Sequence, residues 1–165
     1  MKFRVCSADI FPQKFPFNTD PDLSATQSPG DFYTDRYAPF LFESEYFDAA
    51  DLPRTAASLF DDFERHPELA RLVTWYRLEG GAVAMPEMED ANRAKIAAIA
   101  RAQADGLVTD RFPPEVLLGL ILVIATSWSD LPAGFEMITR DHTVAQRRGY
   151  VIDAVARLVS PEPRP

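Results

Sequence analysis

From Asp51 onward, apolar residues recur at helical spacing, and clear breaks divide the runs into about five helices. In the first, Leu52, Ala56, Leu59, Phe60 and Phe63 fall on one face at the 3.6-residue period. Asp51 is placed to cap it, and Pro53 fits a first turn that needs no amide donor. His66-Pro67 ends this helix and starts a second, whose stripe is Leu69, Leu72, Val73 and Tyr76, with Trp75 on the flank and Gly80-Gly81 as the stop. Residues 82–88, with Pro86, are expected to form a loop. A third helix follows from about Glu89 to Asp105, with Ile96, Ile99, Ala100 and Gln103 on one side and Gly106 ending it.

Pro113-Pro114-Glu115 opens a fourth helix running to about Trp128. Val116, Leu117, Leu118, Leu120, Ile121, Leu122, Val123 and Ile124 leave it no polar face, so every side must be covered. Ser129 to Gly134 forms the next break. The last helix is expected from about Asp141, in a capping role, to Val159. Within it Val144, Arg148, Val151, Val155 and Leu158 follow steps of four and three, the spacing of a helix-pairing seam. The predicted fold class is all-α: a bundle of about five helices over residues 50–160, with a short tail at 161–165.

Residues 1–49 differ. Eight of the twelve Phe lie here, among Pro12, Pro16, Pro21, Pro29 and Pro39. Prolines this frequent remove amide donors and bias their predecessors toward extended backbone, which forbids a long helix. The segment is expected to be irregular, partly disordered around 18–30, with a short helical turn near 41–47.

Coverage of the fourth helix decides the expected assembly. Three or four short amphipathic helices cover one side of it and leave the last helix's seam open. A two-fold copy would close both surfaces as an isologous four-helix bundle, pairing Leu118, Leu122, Ala125, Val144, Arg148, Val151, Val155 and Leu158. The alternative is a monomer whose first 49 residues wrap this surface. Arg148 interrupts the seam, either snorkelling at its edge or pairing across the dimer with an acid such as Asp153.

The charge narrows the partners. A net −8 with a pI near 4.7 is opposite in sign to what phosphate backbones attract, and it argues against DNA binding by this chain alone and against anionic membranes. No run reaches the roughly 20 apolar residues that span a bilayer, and the first residues hold no signal-peptide core, so a cytoplasmic protein is expected. Cys6 is the sole cysteine, which excludes an internal disulfide and a cysteine-rich zinc site. His66 and His142 lack a metal-type partner at helical spacing. Asp61, Asp62 and Glu64, like Glu87, Glu89 and Asp90, are expected on solvated faces. No phosphate loop or nucleophile elbow occurs, so neither enzyme activity nor a cofactor is expected.

Two stretches carry a family resemblance. One is His66-Pro67-Glu68-Leu69-Ala70-Arg71-Leu72-Val73-Thr74-Trp75-Tyr76-Arg77-Leu78-Glu79. The other is Ala102-Gln103-Ala104-Asp105-Gly106, followed by Asp110, Pro114-Glu115 and the apolar helix ending at Trp128. Their order and spacing resemble the C-terminal ligand-binding and dimerisation domain of TetR-family transcription regulators, over Asp51 to Ser160. The resemblance implies a homodimer through the last two helices and a pocket for a small hydrophobic effector among the preceding ones. It also implies an N-terminal helix-turn-helix head, but the Pro- and Phe-rich segment stands there instead, with Phe32-Tyr33 only a faint echo. A truncated or rearranged gene would explain that departure.

Within the implied pocket, Trp75, Tyr76, Met85, Met88, Ile99, Gln103, Ile121 and Trp128 offer aromatic surface, adaptable sulfur and few polar atoms. Gln103 is the natural orienting group, with Thr126 a second; each residue taken singly is better explained by core packing than by a ligand contact. The expected function is that of a TetR-like regulator domain that pairs with itself and binds an effector. The alternative is a stand-alone helical interaction protein that binds no DNA.

Overall fold

A computed structural model describes residues 47–78, 86–132 and 134–161, without the side chains of 71, 72, 75–78, 86, 87 and 136. Expectations for residues 1–46, and the Gly80-Gly81 stop, lie outside the described residues. Six helices make up the described chain, and no strand occurs among the described residues: α1 (Leu52–Arg65), α2 (Pro67–Leu78), α3 (Pro86–Ala104), α4 (Pro114–Thr126), α5 (Phe135–Thr139) and α6 (Val144–Val159).

Local chemistry sets these boundaries. The Asp51 carboxylate accepts from the Arg54 amide at 3.1 Å, capping α1 as its sequence position implies. Asp48 donates its amide to Thr55 Oγ1 at 3.0 Å, which draws the incoming chain onto α1, and Phe47 and Ala49 pack against the core. The helical unit thus takes in residues before position 50. His66 closes α1, its amide donating to the Asp62 carbonyl at 2.9 Å. α3 begins earlier than expected, at Pro86, because a proline at a helix start loses nothing and fixes the required φ. It ends where Gly106, at φ 72°, lets its amide reach the Gln103 carbonyl while Leu107 reaches that of Ala102. This double closure satisfies carbonyls that would otherwise be orphaned, and its left-handed position suits glycine.

Two further stretches differ from the sequence-based expectation. α5 occupies residues to which the sequence pattern assigns no element, just after the expected break at Ser129 to Gly134; Gly134, at φ 85°, makes the reversal that starts it. α6 starts at Val144 rather than near Asp141, because Thr143 is the cap. Thr143 Oγ1 accepts from the Gln146 amide at 3.2 Å, and Gln146 Oε1 accepts from the Thr143 amide at 2.9 Å. This reciprocal box satisfies donors at the helix start that Asp141 does not serve.

α1 packs chiefly on α6 and α4, α3 on α4, and α4 also on α6. Their junction holds the core: Leu52, Ala56 and Phe60 of α1, Ile99 and Ala102 of α3, Leu117, Leu118, Ile121 and Ala125 of α4, and Val151, Val155 and Val159 of α6. The connector 107–113 is tied in through Val108 and the buried Thr109, whose amide donates to the Val159 carbonyl at 2.9 Å.

Candidate functional site

The residues expected to line a pocket do not share one environment. Ile99 and Ile121 are fully buried in the core between α3 and α4. Met88 is half-buried near the start of α3. Trp75 and Tyr76 belong to α2, but their side chains, like the whole of Met85, lie outside the described residues. Trp128 sits in the 3-10 turn after α4, packed against the core edge.

Gln103 is engaged within the protomer. Its Nε2 donates to the Thr109 carbonyl at 2.8 Å and to the Phe112 carbonyl at 2.9 Å, so both amide hydrogens are committed to the connector. Thr126 is likewise engaged, its hydroxyl donating to the Leu122 carbonyl at 2.9 Å. Sequence periodicity placed Gln103 on the inward face, where the connector's carbonyls meet its amide.

The expected pairing residues also separate into two groups. Leu118, Ala125, Val151 and Val155 are at most 4 % exposed and pack inside the protomer, and Leu158 lies against the same core. The first four are therefore covered within the protomer, and Leu158 is only partly covered. Leu122 and Val144 remain exposed. Beside them α4 turns Val116, Leu120 and Val123 outward, with Val123 66 % exposed. The outward face of α4 is thus one apolar surface left uncovered among the described residues, whereas Val151 and Val155 of the α6 seam are internal because α1 packs against them.

Arg148 follows neither expected arrangement. Its Nε donates to both carboxylate oxygens of Asp61 at 3.0 Å within the same chain, while Asp153 pairs with Arg157 one turn on at 2.9 Å. Next to it, Arg147 makes a two-pronged bond to Glu64 at 2.9 and 3.0 Å, with its guanidinium over the Trp128 ring at 5.6 Å. Asp61 and Glu64 therefore clamp α1 to α6 instead of forming a solvated face. Asp62 beside them is half-buried. Its carboxyl is raised above the ordinary range by burial, against the lowering pull of Arg65 and His66, with Asp61 adding to the rise. On α3, burial lowers the Lys95 ammonium.

The two histidines have structural surroundings. His66 Nδ1 lies 3.1 Å from Glu68 Oε1. His142 meets Trp128 edge-on at 6.3 Å and Tyr150 at 5.5 Å between ring centroids. Among the described residues no group of three His, Cys, Asp or Glu is gathered to hold a metal ion, and no described helix is long and apolar enough to cross a membrane.

A family model, "Tetracyclin repressor-like, C-terminal domain", matches residues 51–157, from the cap of α1 to the last turn of α6. The chain belongs to that family. An "HTH-type transcriptional repressor SCO4008" from Streptomyces coelicolor is 35 % identical over 74 residues, 43 % of this chain and 38 % of that protein. The match thus spans under two-fifths of that relative's length. The crystal structure of SCO4942 from Streptomyces coelicolor, described as a candidate transcriptional regulator, is similar with a TM-score of 0.66 at 32 % identity, covering 81 % of this chain and 72 % of that one. The TetR-type regulator family and the all-α fold expected from the sequence are the ones found.

Proposed function

We propose that this TetR-type domain pairs with a second copy through the outward face of α4 and binds a small hydrophobic effector, as a non-enzymatic, cytoplasmic part of a transcriptional regulator. The observation that carries the pairing is Val116, Leu120, Leu122 and Val123, which stay exposed after the protomer has folded. Four large aliphatic side chains grouped on one helix make a patch of the kind that marks an interaction surface. Isologous contact of this face with its own copy buries all four on both sides at once.

Effector binding rests on the family and on the α2–α3–α4 region, where Met88 at the start of α3 retains partial exposure. DNA contact by this chain alone is not part of the proposal, since its net charge of −8 opposes phosphate binding. That same charge favours, as a second reading, a helical interaction protein that acts without DNA.

Light scattering at micromolar concentration is expected to give twice the 18.5 kDa chain mass. A stable monomer would remove the pairing half of the proposal. A thermal-shift panel of hydrophobic small molecules tests the effector half, with stabilisation expected from at least one class and none from simple salts. Salt-sensitive, sequence-specific gel shifts by this chain would contradict its exclusion from DNA.

A further inference from the structure

The outward face of α4 is not large enough to hold two copies together. A large apolar residue presents roughly 150–240 Å² when fully exposed, so the fractional exposures of Val116, Leu120, Leu122 and Val123 amount to about 300 Å². Stable pairs commonly bury about 800 Å² per partner. Something else must contribute.

The five-residue helix α5 supplies it. Phe135 is 46 % exposed, and Met137 and Ile138 are each 73 % exposed, an unusual share for so short an element. Val144 and Tyr150, each 48 % exposed, add apolar surface on the first half of α6. α5 is the connection between α4 and α6, and the edge contacts of His142 with Trp128 and Tyr150 hold the end of α4 beside the start of α6. These residues therefore lie at the same end of the bundle as Val123. Adding them brings the exposed apolar surface to about 900 Å² per chain, enough to supply the apolar part of the roughly 800 Å² that each partner of a stable pair buries in all.

We infer that α5 is a clasp, with Phe135, Met137 and Ile138 packing on a second copy of this chain and extending the contact made by α4. The inference rests on the pairing proposed above and assigns α5 a specific part in it. α5 docks through flexible Met137 and branched Ile138, which fit an apolar surface without requiring polar partners. Gly134, at φ 85°, sets the direction in which this short helix leaves the end of α4.

The test compares three full-length proteins by sedimentation equilibrium: the unaltered chain, Val123→Glu on α4, and the double variant Met137→Glu with Ile138→Glu on α5. All three positions are exposed, so helical circular dichroism and the monomer's unfolding transition should persist. The unaltered chain is expected to be a dimer, and both variants to dissociate at least a hundredfold more readily. Amides of 135–139 should also become more protected from hydrogen exchange as the unaltered chain is concentrated. A dimer that is broken by Val123→Glu and unchanged within threefold by the α5 variant would overturn the clasp and leave the α4 pairing standing. A chain that is monomeric throughout would overturn both.

Discussion

Replacing Gln103 by Met distinguishes a structural tie from an effector contact, because methionine keeps the length and volume of the side chain while removing both donors. Two hydrogen bonds are lost, to the carbonyls of Thr109 and Phe112. Each is worth about 0.5–1.5 kcal/mol net, and a carbonyl left unpaired away from water adds its own desolvation penalty. Thr109 is only 3 % exposed, so its carbonyl carries that penalty, whereas the half-buried Phe112 regains water more easily. The expected loss is about 2–3 kcal/mol, which for a helical domain of this size lowers Tm by roughly 6–15 °C.

Urea unfolding should show the loss as a lower midpoint with an unchanged slope, the mark of altered stability rather than altered compactness. The damage should also be local. Thr109 donates its amide to the Val159 carbonyl at the end of α6, so hydrogen exchange at Thr109 should accelerate before that of the α4 core. A Tm within about 2 °C of the unaltered protein, together with loss of stabilisation by hydrophobic ligands, would refute the structural assignment and restore Gln103 to the effector site.

Three further outcomes follow from the α1–α6 contact and its caps. Glu64→Ala should destabilise by about 2–3 kcal/mol in urea, since it strands the Arg147 guanidinium, whose side chain is 23 % exposed and whose buried Nε already lacks a hydrogen-bond partner; Asp61→Ala, facing the more exposed Arg148, should cost under about 1 kcal/mol. Thr143→Ala should remove the capping box of α6 for about 1 kcal/mol, read as a Tm lower by roughly 4 °C. Burial raises the Asp62 carboxyl in the folded state, so the folded protein holds this proton more tightly than the unfolded chain, and the resulting stability is lost as pH rises from the ordinary carboxylate range through the raised value. Stability of Asp62→Asn relative to the unaltered chain should therefore increase between pH 4 and pH 6, and a flat or falling difference in urea titrations would contradict that sign.

The helices were legible wherever a break and a periodic stripe coincided. Asp51, His66-Pro67, Gly106 and Pro113-Pro114 each punctuate the chain through backbone chemistry that depends on the immediate neighbours, and each falls at a helix end. The start of α3 was misplaced because Pro86 has two local meanings, loop former or first helical residue, and only the chain's path selects between them. At α6, Asp141 and Thr143 are both capable caps. Thr143 wins because Gln146, three residues on, completes the reciprocal bonds, a pattern visible in the sequence and overlooked there. α5 was not visible, since five residues are too few for a stripe.

Periodicity identifies a face, but it does not identify the element that covers it, and this separates the parts of the pairing surface that were legible from those that were not. Val151 and Val155 lie at seam spacing, yet α1 supplies their cover, as the four charged groups along the same contact confirm: Asp61 and Glu64, three residues apart on α1, meet Arg148 and Arg147 on α6. An intermolecular seam would have left those carboxylates facing water. α4 poses the converse problem, because a helix with no polar face carries no internal mark of inside and outside. Leu117, Leu118, Ile121 and Ala125 turn inward and Val116, Leu120 and Val123 outward only because α1, α3 and α6 approach from one side. That this helix needs cover on every side was thus deducible from the sequence, and which of its residues the protomer leaves uncovered only from the packing.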